Sequence, residues 1–161
     1  MHIRSARPYD TPPMAELLNE IINAGGTTAI TEPVTASELK EYMHYYSGRN
    51  VWCVSEDESE LVLGFQYIEP QEDLPDDVAD IATFVRRGYH GNGIGQGMFR
   101  VTCESARNLG FRGINATIRT DNKQGLAFYR SQGFVPHGPA PDVTLSSGCV
   151  ISRVSMRFEL N

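Results

Sequence analysis

Apolar residues along this chain change period several times, and each change marks an element. Met14, Leu17, Leu18, Ile21 and Ile22 recur at i, i+3, i+4, i+7 and i+8, the stripe of an amphipathic helix. Asp10 or Thr11 can cap it, Pro12 and Pro13 suit its first turn, and Gly25-Gly26 end it. A second stripe, Leu39, Tyr42, Met43 and Tyr46, follows the capping-box pattern Thr35-Ala36-Ser37-Glu38. Strand-like runs lie at Ile3–Ala6, Val51–Ser55, Leu61–Tyr67, Ala79–Val85, Gly113–Ile118 and Val150–Leu160. The second and third of these, joined by the acidic turn Glu56–Glu60, predict a hairpin. Ile94, Met98, Val101 and Leu109, with Ala106 beside them, predict a long helix with those residues inward. Glu69–Asp77 is expected as an acidic, proline-bearing loop in solvent. After Phe134-Val135, the Pro/Gly-rich stretch Pro136–Asp142 is expected as a connection to the last strand. The resulting order is β-α-α-β-β-β-α-β-α-β-β, and periodicity alone supports one α/β or α+β domain over residues 1–161.

The chemistry concentrates where the fourth strand meets the long helix. His90-Gly91-Asn92-Gly93-Ile94-Gly95-Gln96-Gly97 places glycines at every second position of that junction. A glycine-rich turn that opens a helix presents unpaired backbone N–H groups at the positive end of the helix dipole, a site for phosphate. No Lys-Ser/Thr pair follows the last glycine, so this is not a P-loop. A dinucleotide fingerprint fails too: counted from Gly91 its third glycine would fall on Gln96, and counted from Gly93 on Met98.

Two segments together resemble the GNAT superfamily of N-acyltransferases. His90-Gly91-Asn92-Gly93-Ile94-Gly95 is similar to that family's acyl-CoA loop, with His90 where Gln or Arg is usual. Further on, Asn122, Tyr129, Gly133 and Phe134 stand in register with the family element Asn-x-x-Ala-x-x-x-Tyr-x-x-x-Gly-Phe, Gly125 replacing its Ala. The segment reads independently as a short helix capped by Asp121 or Asn122 and closed by Gly133. The resemblance runs from Ile3 to Phe134 and implies a twisted mixed sheet of six to seven strands with helices on both faces. It implies an N-acetyltransferase that uses acetyl-CoA as co-substrate, without a metal, and a small-molecule primary amine as acceptor. Gly25–Pro33 also resembles the corresponding segment of the phosphinothricin-type amino-acid acetyltransferases. A silent CoA-binding sensor, or a transferase acting on proteins or peptides, shares the same loop and is the alternative.

By this resemblance Phe84 and Val85, with the strand before the loop, would hydrogen-bond the pantetheine. Gly91, Asn92, Gly93, Ile94, Gly95 and Gln96 would hold the pyrophosphate, His90 would touch a phosphate, and Asn122 would line the groove. Tyr129 is the candidate acid that protonates the departing thiolate. Asp80 is the candidate base, and strand alternation puts it on one face with Ala82 and Phe84. Tyr42, Tyr45, Tyr46 and Trp52 are candidates for an acceptor wall, or core aromatics.

Composition narrows the partners. A formal charge of −6 argues against a general nucleic-acid binder. It also requires any attraction for CoA to be local, and Arg86, Arg87, His90 and Arg100 are expected to cluster around the loop. Three scattered cysteines, Cys53, Cys103 and Cys149, make neither a disulfide framework nor a zinc site. With no apolar leader or membrane-length run in the sequence, a cytoplasmic location without a membrane partner is expected, leaving room for a homodimer.

Overall fold

The computed structural model describes residues 1–161 and contains one seven-stranded sheet in the order β1-β2-β3-β4-β5-β7-β6. Strands β1 (His2–Ser5), β2 (Val51–Glu56), β3 (Val62–Glu69) and β4 (Val78–Val85) pair antiparallel in sequence. β5 (Gly113–Arg119) runs parallel to β4, then β7 (Val150–Glu159) and the edge strand β6 (Val135–Thr144) complete the sheet. Helices α1 (Thr11–Ala24) and α2 (Ala36–Tyr45) cover one face, packing Met14, Leu17, Leu18 and Leu39 on Trp52, Val54, Phe65 and Phe84. Helices α3 (Ile94–Asn108) and α4 (Lys123–Gln132) cover the other, where Phe99, Cys103, Ala106 and Tyr129 meet Ile68, Ile81, Ile114 and Met156. The order of elements is the expected one. No helix is long and apolar enough to cross a membrane.

Four expectations need correction. The buried side of α3 is Ile94, Met98, Phe99, Thr102, Cys103 and Ala106, whereas Val101 and Leu109 are 36% and 42% exposed. A stripe drawn through Val101 and Leu109 follows apolar residues but not the helical phase, which Thr102 satisfies despite its hydroxyl. Pro136–Asp142 is strand, not connection: β6 carries its prolines on an edge, with register shifts at Pro136/Gly138 and Ala140/Val143. An edge strand tolerates the missing N–H donors because one side has no neighbour to receive them. Glu69 is the last residue of β3 and only 2% exposed, so it is not part of the solvated acidic loop. Asp10 does not cap α1 by its side chain; it is buried, and accepts from the Arg7 amide at 2.7 Å and twice from Arg4 at 2.8 Å.

Candidate active site

The site begins where two parallel strands part. β4 and β5 pair only at Val78–Gly113, Ala79–Ile114 and Asp80–Asn115. Beyond that point β4 continues to Val85 with its β5-facing main chain unpaired, and the opening leads into a cleft of about 840 Å³. Because the slot passes through the sheet, alternate residues of β4 reach it from opposite faces. Asp80, Ala82 and Phe84 come from the side of α1, and Ile81, Thr83 and Val85 from the side of α3.

At one end of the cleft the glycine loop opens α3. Gly91 and Gly93 have φ of +82° and +75°, conformations that side chains other than glycine rarely adopt. Gly93 is the N-cap, and the first amide of this turn to find an acceptor is that of Gly97, on the Gly93 carbonyl at 2.9 Å. The preceding amides are free at the positive helix end, as phosphate oxygens require. Gly95 serves differently, since a Cβ there would come within 2.7 Å of the Phe128 ring. His90, Gly91, Gly93, Ile94, Gly95 and Gln96 line the cleft, but Asn92 does not: its side chain donates to the Tyr89 carbonyl at 3.0 Å. Of the four basic residues expected there, Arg87 and His90 line the cleft and Arg100 does not. Arg86 turns away, donating to the Val62 carbonyl at 2.8 Å beside Glu20.

Helix α4 supplies Tyr129 and Asn122. Tyr129 is buried, and its hydroxyl donates to Thr83 Oγ1 at 2.9 Å. Burial pushes the phenol above its ordinary pKa, so it stays protonated at neutral pH. Asn122 lies at the cleft, but its side-chain groups are engaged in structure. Its oxygen accepts from the Gly125 amide at 2.9 Å as the cap of α4, and its amide donates to the Thr27 carbonyl at 3.1 Å. A Cβ on Gly125 would lie 2.4 Å from that Asn122 nitrogen, which accounts for glycine where a larger residue is usual.

The opposite wall is polar. Asp80 accepts from Asn115 Nδ2 at 3.0 Å, and Arg157 Nε donates to Asn115 Oδ1 at 3.3 Å. Burial lifts the Asp80 pKa to about 6, the Asn115 bond opposing and the charges of Glu69 and Asp73 adding to it. Arg153 lines the same wall, close enough to draw the Asp80 pKa down; its Nε is held by the Pro141 carbonyl at 3.0 Å. The segment between α1 and α2 closes this side: Arg119 donates to the Thr28 carbonyl at 3.0 Å, and Thr31 bonds Ser146 at 2.9 Å.

Sequence reasoning missed Arg119, Arg153 and Tyr67, all at the cleft, and, while it offered the main chain around Thr83-Phe84-Val85 to pantetheine, gave the Thr83 side chain no role. Strand register could have paired Arg119 with Arg153, yet neither has a motif around it. Tyr42, Tyr45, Tyr46 and Trp52 do not line the cleft. Trp52 stacks under Tyr67 at 4.0 Å between ring centroids, and Tyr42 hydrogen-bonds the buried Glu69. His44 and His137 are exposed and lie away from the cleft.

Comparison with known proteins agrees with this geometry. The sequence profile of the Acetyltransferase (GNAT) family matches residues 15–134. A Bacillus subtilis (strain 168) protein named "Putative phosphinothricin acetyltransferase YwnH" is 27% identical over 150 residues, covering 92% of each chain. A phosphinothricin acetyltransferase from Sinorhizobium meliloti, solved in complex with AcCoA, superposes with a TM-score of 0.87 at 21% identity, covering 99% of this chain and 88% of that one. A ribosomal-protein-alanine N-acetyltransferase from Brucella melitensis superposes at 0.89 with 22% identity, covering 99% and 100%. The last two share the fold while their names carry different acceptors.

Proposed function

The chain belongs to the Acetyltransferase (GNAT) family and is an acetyl-CoA-dependent acyltransferase, and from that premise we propose that its acceptor is the primary amine of a small molecule that also carries an anionic group, an amino acid or close analogue. The observation that carries this reading is that Asp80 and Arg153 line the same cleft, under a segment fastened by Arg119. A carboxylate and a guanidinium that line one cleft suit an acceptor with both an amine and an acid. The closed side favours a small acceptor over a peptide. The B. subtilis relative's name points the same way.

The residues divide the work by position. The unpaired main chain of β4 can hydrogen-bond the amides of pantetheine as a partial strand, and the free amides of the glycine loop suit its pyrophosphate. Acetyl-CoA supplies the activated thioester. Asp80, with a pKa of about 6, accepts a proton from the incoming ammonium, leaving a lone pair to attack the carbonyl carbon. As the C–N bond forms and the C–S bond breaks, Tyr129 gives its hydroxyl proton to the departing sulfur, and the nitrogen, positively charged once bonded to the acyl carbon, releases its second proton to solvent to become the neutral amide. The phenol and carboxyl then return to their starting states by exchange with solvent.

An acetyl-transfer screen that follows CoA thiol release tests the acceptor class, with phosphinothricin, free amino acids, polyamines and short peptides as amines. Turnover is expected on phosphinothricin or amino acids. Arg153→Leu should raise the acceptor KM by about tenfold, the loss of one charge-assisted contact, with the acetyl-CoA KM little changed. Turnover confined to polyamines or peptides overturns the reading.

A further inference from the structure

Behind Tyr129 lies a chain of hydrogen bonds that the reaction described above does not use. Cys53, Gln66 and Thr83 are cross-strand partners on β2, β3 and β4, a polar row across the face that α3 covers. Gln66 and Thr102, the latter from α3, are wholly buried. Thr102 Oγ1 donates to Gln66 Oε1 at 2.6 Å, and Gln66 Nε2 donates to Thr83 Oγ1 at 2.9 Å. Thr83 Oγ1 also receives the Tyr129 hydroxyl at 2.9 Å. Apolar residues would fill this row at less cost, because each buried polar atom here needs a partner.

The direction of the chain is set by its chemistry. A primary amide has one accepting and one donating end. With its oxygen taken by Thr102, Gln66 can offer Thr83 only N–H. Thr83 is thereby held as an acceptor toward Gln66, and its own proton remains free to turn. While Tyr129 keeps its proton, the two oxygens share it along the bond from Tyr129 to Thr83. Once that proton moves to sulfur, the phenolate oxygen is left buried, where an uncompensated charge is costly.

We propose that Thr83, oriented by Gln66 and Thr102, is a positioning residue that turns its hydroxyl to donate to the Tyr129 oxygen as the phenol loses its proton to the leaving sulfur. No proton is transferred from Thr83: the Tyr129 O–H bond breaks, the S–H bond forms, and the Thr83 proton only reorients. The inference rests on Tyr129 acting as the acid.

The test is a double-mutant cycle on kcat, with acetyl-CoA and phosphinothricin as the substrates and thiol release as the signal. Thr83→Val should lower kcat about 10- to 100-fold, the typical worth of a hydrogen bond to a charged group, with the acetyl-CoA KM nearly unchanged. Thr83→Ser, which keeps the hydroxyl, should restore most of it. In a Tyr129→Phe background Thr83→Val should have no further effect. Thr102→Val, remote from the cleft and freeing the Gln66 amide to flip, should act in the same direction more weakly, and again only while Tyr129 is present; it serves if Thr83→Val does not fold. A wild type inert on phosphinothricin and on amino acids removes the proposed function and this inference with it. Full turnover by Tyr129→Phe removes the acid assignment, and the inference with it. A slow Tyr129→Phe beside a fully active Thr83→Val removes the positioning role alone. Equal losses from Thr83→Val in both backgrounds would reduce Thr83 to packing.

Discussion

Asp80, the base proposed above, would serve catalysis at the expense of stability. Its carboxyl is lifted to about 6 by burial, above the ordinary value of about 3.9 that it would have in the unfolded chain. Below about pH 4 both states hold the proton and the group is neutral in each. Between about pH 4 and 6 the unfolded chain binds fewer protons than the folded one, so the stability that Asp80 contributes falls as pH rises. Asp80→Asn keeps the polar contact with Asn115 and removes the charge. It should therefore be more stable than wild type at pH 7, by on the order of 1–3 kcal/mol, with the gap closing toward pH 4. Its turnover should fall about 10²–10⁴-fold, and the wild-type kcat/KM should decline below about pH 6. Melting curves at several pH values, together with rates, check both. Equal melting at pH 7 and full turnover would make Asp80 a plain solvated carboxylate.

At the scale of elements, the glycine loop separates conformational need from close approach. Gly93 adopts a φ of +75°, and nothing lies within 4 Å of where its Cβ would be. Gly93→Val therefore meets backbone strain but no clash, a loss of about 1–2 kcal/mol. For a domain of this size that is a fall of about 2–8 °C in Tm. A β-branched side chain at the N-cap would stand where the pyrophosphate meets the free amides, so CoA affinity should weaken by about tenfold or more. Calorimetric titration and a melting curve separate the two effects, and normal binding in a folded variant would remove the pyrophosphate from this turn. The two glycine-rich signals and the caps of α2 and α4 were legible because they are local: Thr35 accepts from the Glu38 amide and Asn122 from the Gly125 amide. β6 was not legible, since proline excludes strand only where a neighbour needs its N–H.

Across the whole molecule, the side of the cleft proposed for the acceptor is assembled from residues far apart in sequence. Arg119 at the end of β5 holds the Thr28 carbonyl and is itself held by Asp121 at 2.8–2.9 Å. Asn122 ties down Thr27, and Ser146 in the β6–β7 turn meets Thr31. Arg119→Met keeps the apolar stem and cuts the tie to Thr28. Asp121 is 54% exposed at its side chain and would be solvated when released. The acceptor KM should rise by about tenfold while the acetyl-CoA KM moves little, because the glycine loop lies elsewhere. Steady-state kinetics with each substrate varied in turn decides this. Equal effects on both would mean that the segment shapes the entire cleft.

The sequence by itself determined the order of the elements, the glycine turn that opens α3 and the cap of α4, because each depends on residues a few positions apart. It also put Asp80, Ala82 and Phe84 on one face, and β4 keeps that alternation through an unbroken register with β3 from Gly64–Val85 to Glu69–Asp80. Only the tertiary structure decided where β4 and β5 part, since hydrogen bonding between them stops at Asp80–Asn115 without any local signal. That parting brings Thr83, Asp80, Arg153 and Tyr129 to one cleft. It likewise turned Arg86 away to Val62 and Glu20, and buried Glu69 beneath Tyr42. Charge and hydropathy along a chain report what a side chain prefers. Which neighbours it meets is set by the register of strands that lie distant in sequence, and those neighbours fix its protonation and its use.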